Sequence, residues 1–186
     1  MVKTRLIPAL GVSGATRAHE QLLAHVIRVA RTWVQAQSGR HLLLWCTPDH
    51  LHPFFDDLLP VDQRRLQPEG DLGVRLDHIA ASQINQGQGV LLLGGDAASV
   101  STILLDATQA ALLHRDAVMA PAQDGGYILL ALNRYHPSLF QNISWGTAAV
   151  AAETRDRLTA LDWRWHELPM QWDVDRPADW QRFLRL

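Results

Sequence analysis

Cysteine is almost absent from this chain of 186 residues: the single Cys46 leaves no partner for an internal disulfide. Its neighbours Leu42, Leu43, Leu44 and Trp45 mark it as an inert core thiol. No apolar run approaches the roughly 20 residues needed to cross a bilayer, and the N-terminus lacks a charged-then-apolar leader pattern, so a cytoplasmic protein without a membrane span is expected. Clustered positive charge is missing too. The 17 basic and 19 acidic residues are scattered, for a net charge of −2, which argues against nucleic acid as a partner, since phosphate-backbone binding needs a concentrated basic surface. The nine histidines are dispersed, with only His50 and His52 close together, and a zinc site needs several converging ligands. There is no glycine-rich loop ending in Gly-Lys-Ser or Gly-Lys-Thr, hence no P-loop. Gly11-Val12-Ser13-Gly14-Ala15 only half-matches a serine elbow and follows no strand.

What is present is an alternation of helical and strand-like segments in a chain of single-domain length. From Gly14 to Gln37 the residues Leu22, Leu23, Val26, Ile27, Ala30 and Trp33 recur in threes and fours, one apolar stripe on a long helix that Gly39 ends. His41–Cys46 and Gly89–Leu93 are short continuous apolar runs of the kind found in buried parallel strands. Helices are expected over Leu72–Gln83, Ser101–Leu113, Thr147–Leu161 and Pro177–Leu186, and a strand over Trp163–Leu168. Ala117–Pro121 and Tyr127–Leu132 flank the turn Gln123-Asp124-Gly125-Gly126 and form a hairpin or neighbouring strands. This order predicts one α/β domain over residues 1–186, a three-layer fold with a mostly parallel sheet covered on both faces. Such a domain normally opens with a buried strand, and Met1–Leu6 is too polar to supply one.

In an open parallel sheet, ligands bind beyond the carboxyl ends of the strands. Asp96 follows Gly94 and Gly95 at such an end, a suitable place for a hard cation. Asp173 and Asp175 flank Val174 after the last strand, and Mg²⁺ or Mn²⁺ takes one or two carboxylates with phosphate oxygens and water. Asp175 alternatively caps the helix at Pro177. In Asp124-Gly125-Gly126-Tyr127 the glycines serve either a tight turn or the close approach of backbone to a ligand. Gln67-Pro68-Glu69-Gly70-Asp71-Leu72-Gly73-Val74-Arg75 either starts a helix whose amides and Arg75 face an anion or is an ordinary helix start with a solvated arginine. Trp145-Gly146-Thr147 offers an aromatic wall, or a core tryptophan and a helix cap. Lys3 and Arg5 hold phosphates or are solvated terminal cations.

The order of Lys3-Thr4-Arg5-Leu6 with Pro8, Leu10 and Gly11, then Gln67, Gly70-Asp71-Leu72-Gly73 and Arg75, Gly95-Asp96, Pro121, Asp124-Gly125-Gly126-Tyr127, Trp145-Gly146-Thr147 and Asp173-Val174-Asp175 resembles a bacterial family. That family is the radical-SAM/selenodomain-associated transferases, domain of unknown function 2064. The resemblance runs through nearly the whole chain and implies a Rossmann-like GT-A fold, that of the nucleotide-diphospho-sugar transferases, related to small nucleotidyltransferases. It implies a glycosyl- or nucleotidyltransferase using a nucleotide-sugar or nucleoside triphosphate and an unknown small acceptor. Asp96 and Asp173 would be catalytic, and Asp96, Asp173 and Asp175 would hold Mg²⁺ or Mn²⁺. Lys3, Arg5 and Arg75 would meet phosphates, and Asp124, Gly125 and Gly126 would shape the donor pocket. The alternative is a non-catalytic nucleotide-binding or scaffold protein. Two departures stand out. The family's first strand and proline-glycine loop precede the Lys-Thr-Arg-Leu segment, so the first strand is missing here. This suggests a start codon placed too far downstream, which an in-frame stop directly before Met1 would exclude. Ala97-Ala98 replaces a usual proline after Asp96, so a less rigid loop is expected.

Overall fold

The computed structural model describes residues 2–186, so of the opening segment only Met1 lies outside the described residues. A 3-10 turn at Thr4–Leu6 runs into α1 (Ile7–Gln35), followed by β1 (Leu44–Cys46), β2 (Arg64–Leu66), α2 (Leu72–Ile84) and β3 (Val90–Leu93). Then come α3 (Thr102–Leu112), β4 (Ala117–Pro121), β5 (Tyr127–Leu132), α4 (Val150–Ala160), β6 (Trp165–Glu167) and α5 (Pro177–Phe183). The chain divides into two compact units, one of Met1–Leu66, Gly95–Thr102 and Asp173–Leu186, the other of Gln67–Gly94 and Ile103–Trp172.

The second unit is built on a four-stranded sheet in the order β3-β5-β4-β6. Every residue of β4 and all of β5 after Tyr127 are buried, as their unbroken apolar runs require. The turn between them folds β5 straight back: Ala122 N donates to Gly126 O at 2.9 Å and Gly125 N to Ala122 O at 3.1 Å. β5 is therefore antiparallel to β4 and also to β3, whereas β6 runs parallel to β4. The sheet is thus open and partly parallel, with β3, β4 and β6 sharing a direction and the hairpin strand opposing them. Val150, Ala151, Thr154 and Leu158 of α4 and Leu104, Leu105, Thr108 and Leu112 of α3 are buried. The two buried threonines are tolerated because each hydroxyl donates to the carbonyl four residues earlier, Leu104 O and Val150 O, at 2.8 Å.

In the first unit, Leu22, Val26, Ile27, Ala30 and Trp33 of the stripe predicted for α1 are buried, whereas Leu23 is half-buried. The helix nevertheless starts at Ile7, because Pro8 suits a first turn, and Gly11 (φ 67°, ψ 172°) kinks it before the amphipathic stretch begins. β1 and β2 form a separate parallel pair, Leu44 opposite Arg64 through Cys46 opposite Leu66. The expected strand at His41–Cys46 is shortened to its last three residues, and β2 has no sequence counterpart above, since Arg64 and Arg65 do not look like strand interior. Arg64 is nevertheless only 3% exposed: Nε donates to Leu59 O at 2.7 Å, Nη1 pairs with Asp56 Oδ1 at 3.0 Å, and the guanidinium stands 5.8 Å from the Phe55 ring centre. On α5, Trp180 and Phe183 stack, and His25 of α1 meets Phe183 edge-on at 5.4 Å.

Candidate functional site

The 3-10 turn that opens the chain positions the first candidate. Leu6 is fully buried, its amide donates to Lys3 O at 2.9 Å, and Lys3 is held in the left-handed region (φ 48°, ψ 46°). A non-glycine residue there is uncommon and clusters at functional sites. Its effect is to turn the lysine side chain inward, where it is only 10% exposed. The ammonium meets Asp96 Oδ2 at 2.6 Å and donates a second hydrogen bond to the carbonyl of Val174.

Asp96 is presented by the loop after β3. Ala97 and Ala98 are buried and Val100 N closes a turn on Ala97 O at 3.1 Å. The Asp173-Val174-Asp175 segment hangs on the same loop: Val174 is wholly buried and its amide points to Asp96 O at 3.4 Å. Asp175 pairs with the guanidinium of Arg5 rather than capping α5. Capping falls to Asp179, whose Oδ2 accepts from Arg176 N at 2.7 Å and from Asp175 N at 3.2 Å.

Lys3, Arg5, Asp96 and Asp175 thereby line one open depression of about 380 Å³ within the first unit, together with His19. Asp173 is two residues from Asp175 on the same segment but does not line the depression. His19 was unremarkable in sequence, one of nine scattered histidines. Its signal was its place on α1 between Ala15, Ala18 and Leu22, at the margin of the apolar stripe. Burial, and then the nearby Lys3 charge, lower its pKa below the ordinary imidazole value, while Asp96 and Glu20 oppose the shift. Its Nδ1 is buried with no hydrogen-bond partner among the described residues, so a neutral, desolvated imidazole borders the charged groups.

Arg75, Asp124, Gly125 and Gly126 belong to the second unit. Arg75 donates to Gly70 O and Gln67 Oε1, each at 3.0 Å, and so braces the loop before α2. That helix is capped by Asp71 Oδ1 on Val74 N at 2.9 Å. Asp124 Oδ1 accepts from Gly126 N at 2.9 Å, and Gly125 O from Ala151 N at 2.9 Å. Gly125 has φ 91°, and a Cβ there would lie 2.3 Å from Ala148 O, so the close approach that requires a glycine is to the chain's own backbone. Thr147 Oγ1 accepts from Ala149 N at 3.2 Å near the start of α4, and Trp145 meets Tyr127 edge-on at 6.4 Å. Burial raises the Tyr127 hydroxyl pKa well above the phenol value.

Among the described residues no three His, Cys, Asp or Glu side chains converge as a ready-made metal cluster. The point taken by the Lys3 ammonium is nevertheless walled by a carboxylate oxygen and a carbonyl oxygen, with Asp175 on the same depression. All-oxygen donors of this kind suit a hard divalent ion that completes its shell with substrate phosphate and water, so the residues fit such an ion once the ammonium is displaced. Among the described residues no helix is long and apolar enough to cross a membrane.

A bacterial family described as "Uncharacterized protein conserved in bacteria (DUF2064)" matches residues 30–147. That description carries no radical-SAM or selenodomain association. No curated protein matches. Among solved structures, a protein from Desulfovibrio desulfuricans G20 provisionally named a nucleotide-diphospho-sugar transferase is similar, with 27% identity and a TM-score of 0.82 over 94% of this chain and 76% of that one.

Proposed function

Because the chain belongs to the bacterial DUF2064 family and has the α/β GT-A fold of the nucleotide-diphospho-sugar transferases, we propose that it transfers a glycosyl or nucleotidyl group from a nucleotide donor to a small acceptor in the cytoplasm. The observation that carries this reading is the convergence of Lys3, Arg5, Asp96 and Asp175 on one depression. Those four side chains carry two positive and two negative charges in two contacting pairs. Their charges cancel, so at the resting site an anionic diphosphate and a divalent cation each gain little without the other.

Asp96 and Asp175, with Asp173 from the same segment, would hold Mg²⁺ or Mn²⁺ there. Bound there, the ion would neutralise charge building on the leaving phosphate. Lys3 and Arg5 would meet the donor's phosphate oxygens, the guanidinium through its planar fork and the ammonium as a point charge. His19, kept neutral by burial, leaves the positive charge to those two groups. This reading rests on the first unit alone, since Arg75 and the Asp124–Gly126 turn are bonded within their own segments.

Calorimetric titration of a panel of nucleoside triphosphates and nucleotide-sugars, with and without Mn²⁺, tests it. One donor should bind in a Mn²⁺-dependent way, and both Asp96→Ala and Asp175→Ala should remove that binding while preserving the fold. Unchanged affinity in both variants would sink the metal assignment.

A further inference from the structure

Lys3 is the only lysine in a chain whose other basic residues are all arginines. Its ammonium, compact and strongly hydrated where a guanidinium is broad and planar, occupies the position where the Asp96 carboxylate and the Val174 carbonyl converge. The buried Leu6 and the left-handed backbone at residue 3 hold it there. These are the oxygen types that a hard divalent cation takes, and two cations cannot share them, because like charges a few ångströms apart repel strongly in a partly desolvated site. We infer, on the basis of the donor reading above, that Lys3 is a tethered counter-ion that excludes the divalent ion until a nucleotide donor arrives and its phosphates draw the ammonium away. Metal and donor then bind as a linked pair: each raises the affinity of the other by the same factor. The metal-free, donor-free protein rests with its carboxylate neutralised from within, so metal does not load unproductively.

Mn²⁺ binding measured by electron paramagnetic resonance, without nucleotide, tests the exchange in the native protein, Lys3→Met, Lys3→Gly and Asp96→Asn. Lys3→Gly also relaxes the left-handed backbone, which guards against a folding defect in Lys3→Met. Both lysine variants should bind Mn²⁺ about tenfold or more tighter than the native protein, a factor within the ordinary range of site coupling, and Asp96→Asn should bind it least. In the native protein, the lone lysine ¹⁵Nζ resonance should shift along the Mg²⁺ titration with the same midpoint as binding. If removing Lys3 leaves Mn²⁺ affinity unchanged or weakens it while Asp96→Asn still abolishes binding, the exchange is wrong and the metal reading stands. Mg²⁺ binding that leaves the lysine resonance unmoved would overturn the exchange in the same way. If no protein binds Mn²⁺ even with donor nucleotide present, the metal reading itself fails and the exchange goes with it.

Discussion

Replacing Gly125 with alanine isolates what the glycine turn is for. At φ 91° an alanine enters the left-handed half of the backbone map, at about 1–2 kcal/mol. Its Cβ would also sit 2.3 Å from Ala148 O, 2.6 Å from Ala148 Cα and 2.8 Å from Ala148 C. All three are backbone atoms, so no rotamer change relieves the overlap; the turn and the start of α4 must separate, straining the Ala151 N to Gly125 O bond. Overpacking of this kind adds about 1–3 kcal/mol, for a total loss of about 2–5 kcal/mol. Gly146→Ala is the internal control, with φ 78° and nothing within 4 Å of its Cβ, so it should lose only the conformational part. Urea unfolding followed by tryptophan fluorescence gives both values from the midpoint at constant slope. If Gly125→Ala costs no more than Gly146→Ala, the packing argument is refuted, and a ligand-facing role for that glycine becomes the better explanation.

Acid should weaken the fold through His19 and His25, whose pKa values are both lowered, chiefly by burial. A depressed folded-state pKa means their contribution is complete above the unfolded value of 6.5 and lost as pH falls through 6.5 toward the folded values. The double variant His19→Gln/His25→Gln should flatten the fall of urea midpoint over that window, and an unchanged slope would count against the assignment. Cys46 is buried, with its thiol pushed up to about 11, so a thiol reagent at pH 8 should label native protein far more slowly than urea-unfolded protein; equal rates would contradict the buried placement.

Most of the second unit was legible because its signals are local. The runs 117–121 and 127–132 are buried strands at the expected bounds, and the Asp-Gly-Gly turn between them forces the antiparallel return. The α1 stripe was readable apart from the half-buried Leu23, but the helix's start was not, since Pro8 favours the earlier start and Gly11 hides it with a kink. β2 escaped because Arg64 is buried by partners at Asp56, Leu59 and Phe55, which no apolar pattern encodes. The candidate site was half legible. Chain order singled out Lys3, Arg5, Asp96 and Asp175 separately, yet the Lys3–Asp96 pair joins residues 93 apart, and only the folded chain brings the ammonium onto the carboxylate. His19 was hidden for the same reason, as its unpaired nitrogen exists only once α1 borders the depression.

The central claim is that this depression supports transfer, and phosphorus NMR of the donor tests it most directly. Native protein at high concentration is incubated with Mg²⁺ and each nucleotide, water serving as a slow acceptor where the natural one is absent. The account predicts release of nucleoside diphosphate from a nucleotide-sugar, or pyrophosphate from a triphosphate, at a rate that Asp96→Ala reduces to background. A donor that binds with metal yet stays intact, or is consumed equally by Asp96→Ala, would contradict it and leave a nucleotide-binding protein without turnover.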